Sequence, residues 1–145
     1  MSREAIYAGL FALVTNDPGV QAVVKFSARS LRHFDDVPAE SCPALYLLQV
    51  GENWVRPGKG VPPKRTLEAR FVLYTLIDPT SGLQATTVNT VLDAIDNALI
   101  ALNPSGAVVI GGLVERVYIE GRVIIDEGLL QSKSVTVIPI NILIP

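Results

Sequence analysis

The chain has 145 residues, a length that suits one compact domain spanning 1–145; hydrophobic residues make up 49% and charged residues only 18%. That composition excludes a disordered chain and leaves more apolar surface than a small domain easily hides, so association is expected. Twelve basic and fourteen acidic residues give a net charge of −2, which offers no bulk attraction to nucleic acid or to an anionic membrane.

Ser2 can cap a first helix, and Glu4 in its first turn favours the positive end. From Ala5 to Val14 there is no charged or strongly polar side chain. Ile6, Leu10 and Leu13 form a core stripe, with Tyr7, Phe11 and Val14 widening it to one side. An ordinary surface helix has a polar back. This one is either a core helix covered on most sides, or a helix packed on its own sheet and on a neighbouring subunit. In the second reading Tyr7 and Phe11 are interface residues. Arg3-Glu4 ahead of the run, with no cleavage site behind it, predicts a helix and not a signal peptide. No stretch reaches the roughly 18 apolar residues of a membrane helix. Asn16-Asp17-Pro18-Gly19 ends the helix with turn chemistry.

Val20 to Phe26 predicts a short strand, and Ser27 to Val37 either extends it or forms a loop. Pro38 and Pro43 bracket a second loop. Ala44 to Val50 is apolar on both faces and predicts a buried strand. Gly51 to Lys64 is a long polar connection holding Trp54, Pro57, Gly58, Gly60, Pro62 and Pro63. It predicts an oversized, mobile hairpin loop that orders against a neighbour. Arg56, Lys59, Lys64 and Arg65 make it basic. It is a solvated loop, or, with Trp54, a partner-contacting loop that meets an acidic protein surface or DNA passing nearby. Gly58-Lys59-Gly60 echoes a phosphate loop, but neither the spacing nor the following helix is present.

Arg65 to Ile77 alternates cleanly: Leu67, Ala69, Phe71, Leu73 and Ile77 on one face, Glu68, Arg70, Val72, Tyr74 and Leu76 on the other. Asp78-Pro79-Thr80-Ser81-Gly82 breaks the strand. From Thr86 to Leu102 the period becomes helical. Val88, Leu92, Ile95, Leu99 and Leu102 form a stripe, with Val91 and Ala98 beside it. Asn89, Asp93 and Asp96 share another side with Ile100. Paired carboxylates can bind a cation, but a solvated or intersubunit face is the simpler reading, and an isoleucine on that same side, odd for a purely solvated surface, favours the interface.

Asn103-Pro104-Ser105-Gly106 stops the helix. Ala107 to Ile110 is a short apolar run, and the strand pattern after Gly111-Gly112 rejects a dinucleotide fingerprint. Leu113 to Glu120 and Arg122 to Asp126 predict strands around Gly121, with a turn at Glu127-Gly128. Ser134 to Ile144 is the last strand, apolar on both faces, where Pro139 marks an edge position or a bulge. Helix, strands, helix, strands without βαβ alternation predicts an α+β fold: a mainly antiparallel sheet with two principal helices packed on one face.

No catalytic, metal or cofactor-binding set is visible, so the chain reads as a non-enzyme. His33, the only histidine, has Asp35 and Asp36 nearby but no nucleophile to serve. Cys42 is alone, forms no intramolecular disulfide and points to an intracellular origin.

Several stretches together resemble the tail terminator and tail-completion family of long-tailed bacteriophages. They are Ser2-Arg3-Glu4-Ala5-Ile6-Tyr7; Arg29-Ser30-Leu31-Arg32-His33-Phe34-Asp35-Asp36-Val37 followed by Pro43-Ala44-Leu45-Tyr46-Leu47; the Pro-rich connection leading to the central strand and helix; Ile119-Glu120-Gly121 leading to Asp126-Glu127-Gly128; and the closing Val137-Ile138-Pro139-Ile140-Asn141-Ile142-Leu143-Ile144-Pro145. The resemblance is a pattern of patches over most of the chain. It implies a small α+β fold that assembles into a ring, usually a hexamer, at the head-proximal end of the virion tail. The ring would cap the tail tube, stop its polymerisation and provide the head-joining surface. The implied partners are other copies, the tail tube protein and a neck or head-completion protein, with DNA passing through the lumen without sequence-specific binding. Assembly would take place in the host cytoplasm. The alternatives are a neck or head-completion ring, and a small α+β ligand-binding domain.

Overall fold

The computed structural model describes residues 2–77, 85–102, 110–130 and 132–145, and of 128–130 the backbone. Its helices are α1 (Arg3–Thr15), α2 (Pro18–Gln21) and α3 (Ala85–Leu102); its strands are β1 (Phe26–Ala28), β2 (Ala44–Val55), β3 (Lys64–Leu76), β4 (Arg116–Ile119), β5 (Ile124–Leu130) and β6 (Lys133–Ile144). The strands form one sheet in the order β1-β2-β3-β6-β4, with β5 also on β6. All pairs are antiparallel except β1 with β2. This is the expected α+β arrangement.

Alternation in β3 and β6 builds the core. Leu67, Ala69 and Phe71 lie opposite Ile142, Ile140 and Ile138, and all six are buried on one face. The helices cover that face. Ile6, Tyr7, Leu10 and Val14 come from α1, and Val91, Ile95, Ala98 and Leu99 from α3. At one end of the opposite face lies a smaller core of Val37, Cys42, Ala44, Tyr46, Val72 and Tyr74. It sits under the segment after β1, whose Arg32 carbonyl accepts the Tyr74 hydroxyl at 2.9 Å. Burial on both faces is why the start of β2 is apolar throughout.

Five expectations are corrected. Residues 18–21 are helical, because Asp17 caps the Val20 amide at 3.1 Å and Pro18 occupies the first helical position; the strand starts only at Phe26. The core stripe of α1 is rotated: Tyr7 and Val14 are buried and Leu13 is 40% exposed. The hairpin loop is shorter than 51–64, since 51–55 pairs with 64–68. Residues 127–128 continue β5 and make no turn. Pro139 lies in a central strand: its carbonyl accepts the Glu120 amide at 3.3 Å. Its own nitrogen therefore faces the break between β4 and β5, where no ladder bond is required.

The predicted break at 78–82 and stop at 103–106, and the run 107–109, lie outside the described residues. Past them, Ile110, Gly111 and Gly112 all have positive φ. A Cβ on Gly9 of α1 would collide with the Ile110 side chain, so the glycine is what admits this packing.

Candidate functional site

The hairpin formed by the far half of β2 and the near half of β3 carries a register shift between Gln49 and Gly51. The shift places Val50 out of sequence with the ladder and reverses the faces. Glu52 and Trp54 therefore come to the helix-covered side, opposite Leu67 and Arg65. The Arg65 guanidinium lies 4.9 Å from the centre of the Trp54 ring, and the Trp54 indole donates to Glu52 at 3.1 Å. Arg3 of α1 forms a two-pronged ion pair with the same carboxylate, which holds Glu52 below the usual carboxylate range. The root of the hairpin is thus tied to the start of α1.

Its outer surface is apolar and basic together. Trp54 is 51% exposed and Val55 52%; Val50 and Val61 are exposed as well. Arg56, Lys59 and Lys64 are exposed and Arg65 is half-buried. β1 pairs β2 only at 44–46, so beyond Tyr46 that edge of β2 has no neighbouring strand among the described residues.

At the opposite edge of the sheet, α3 passes beside β4. Between them is a groove of about 270 Å³ lined by Asp96, Leu99, Ile100, Arg116, Val117, Tyr118 and Ile119. Asn89, Asp93, Asp96 and Ile100 all face outward here, Ile100 with 64% of its surface exposed. Leu99 and Val117 form a buried floor.

No family model matches the chain, and no curated protein does. Its fold does have a counterpart. A chain of the virion of a native gene transfer agent particle superposes with a TM-score of 0.60, covering 97% of this chain and 95% of that one. At 10% identity the likeness is one of fold.

The remaining predicted residues separate. Tyr7 packs within its own chain: it is 3% exposed, its hydroxyl donates to the Glu68 carbonyl at 3.4 Å, and burial raises its pKa. Phe11 is half-buried against the same core. His33 caps a short 3₁₀ turn, its Nδ1 accepting the Asp35 amide at 3.3 Å, and its ring leans on Phe34. Cys42 is buried, and burial pushes its thiol pKa up, the opposite of an activated nucleophile. Among the described residues no group of three or more His, Cys, Asp or Glu side chains is placed to hold a metal ion, and no helix is long and apolar enough to cross a membrane. Sequence reasoning missed the groove between α3 and β4. Its signal was present in the outward Ile100, but the partner strand was not predictable from that helix.

Proposed function

We propose that this chain is a non-enzymatic structural protein of a phage-like virion, and within that class a tail terminator. Copies close into a ring, expected as a hexamer, at the head-proximal end of the tail. The ring caps the tail tube, stops its polymerisation and presents the head-joining surface. The observation that carries this reading is the nearly full-length fold likeness to a chain of the gene transfer agent virion. Exposed Trp54, Val55, Val61 and Ile100 support it, because such side chains gain from being covered by partners. The partners are other copies of the chain, the tail tube protein and a neck or head-completion protein. DNA passes through the lumen without sequence-specific contact, in keeping with the net charge of −2. Assembly takes place in the host cytoplasm. Asn89, Asp93, Asp96 and Ile100 contribute to the subunit contact, with Phe11 at its margin. The hairpin residues Trp54, Arg56, Lys59, Lys64 and Arg65 contact a partner.

Negative-stain microscopy of the purified protein, alone and mixed with tail tubes, tests this. Rings seated on tube ends are expected. Rings that bind only portal-bearing heads would move the chain to the neck. Single copies in both preparations would remove the ring reading altogether.

A further inference from the structure

Two complementary surfaces lie on opposite edges of this sheet. One is the hairpin, which carries exposed Trp54 with Arg56 and Lys59. The other is the groove between α3 and β4, with exposed Ile100 on its rim and Asp93 and Asp96 alongside. We infer that the hairpin of one copy docks into the α3–β4 groove of the next copy, Trp54 against Ile100 and the hairpin cations against Asp93 and Asp96. The inference rests on the ring reading and specifies which surfaces meet.

Two observations carry it. On the α3 side the charges are complementary, Asp96 lining the groove and Asp93 one turn before it, while the Arg116 cation on the β4 side leaves the α3 rim as the side the hairpin cations meet; each surface sets a large apolar side chain beside its charges, the composition of an anchor with a polar rim. The two surfaces also cannot meet within one chain. Asn53 pairs with Thr66, Thr66 with Leu143, and Leu143 with Arg116. Three interstrand steps of about 4.8 Å therefore hold the edges roughly 14 Å apart on a rigid sheet. A contact between different surfaces is head-to-tail, so it continues from copy to copy and does not stop at a pair.

Cross-linking and charge exchange on the full chain test the inference. Trp54→Cys and Ile100→Cys are made in separate proteins, mixed, and treated with a short thiol cross-linker; Cys42 is buried and stays silent. A cross-linked pair is expected from the mixture and not from either protein alone. Arg56→Glu with Lys59→Glu should weaken self-association by about tenfold or more, as should Asp93→Lys with Asp96→Lys. Combining the two sets should restore it. All these side chains are exposed, and unchanged thermal unfolding confirms that each variant is folded. Rings that persist by microscopy with no cross-link and no response to charge reversal would overturn the docking and leave the ring intact. Reversal on the hairpin that abolishes binding to tail tubes without affecting self-association would assign the hairpin to another protein, which also overturns it. Absence of self-association under every condition would remove the ring and the docking together.

Discussion

At the scale of single residues, burial separates side chains that look alike in the sequence. Ile95 is fully buried at the centre of α3, whereas Leu92, one turn earlier, is only partly covered. Ile95→Ala should therefore cost roughly 2–5 kcal/mol in denaturant unfolding, and Leu92→Ala clearly less. A loss below about 0.5 kcal/mol at Ile95 would mean that this side of α3 does not face the sheet. Cys42 gives a chemical test of the smaller core. Its folded pKa is raised by burial, so its contribution to stability is complete below the unfolded value of about 8.5 and is lost as pH rises through the folded value. The thiol should resist maleimide in the native protein at pH 8 and react fully in denaturant. Rapid native labelling would show that the segment over Cys42 does not cover it.

At the scale of elements, α1 and the hairpin behave differently from their patterns. The apolar run in α1 offers two overlapping stripes, and the sheet selected the one containing Tyr7 and Val14. Phe11 packs against the core while Leu13 points outward. Phe11→Glu is therefore expected to lower the stability to unfolding, and Leu13→Glu to leave it within about 0.5 kcal/mol of the parent. The reverse order would restore the stripe predicted from spacing. In the hairpin, the amides of 51–55 are in a paired strand and those of 56–63 are not. Hydrogen exchange should be slow only at those amides of 51–55 that point toward β3 and fast at 56–63, and on assembly it should slow in 56–63 as well. Unchanged exchange at 56–63 in assembled particles would take the hairpin tip out of any contact.

At the scale of the whole molecule, the proposed ring joins charged rims around apolar anchors. Screening acts on the first and not on the second, so 1 M salt, with a Debye length of about 3 Å, should slow ring formation while leaving formed rings intact. Light scattering during assembly and after a salt jump measures both; formed rings that dissolve in salt would show that charge alone holds them. The sequence by itself determined the α+β class, the central strand and helix, and the outward side of Asn89, Asp93, Asp96 and Ile100. Each of these follows from a local period of two or of 3.6 residues that survives without knowledge of neighbours. Tertiary structure alone decided the length of the hairpin, the rotation of α1, the central place of Pro139 and the groove beside Ile100. A single unpaired residue at Val50 breaks the alternation that spacing depends on. A helix apolar all round has no preferred face until a sheet is laid against it. A proline is tolerated in mid-sheet only where two other strands leave a gap, and a groove between α3 and β4 exists only once residues far apart in the chain are side by side.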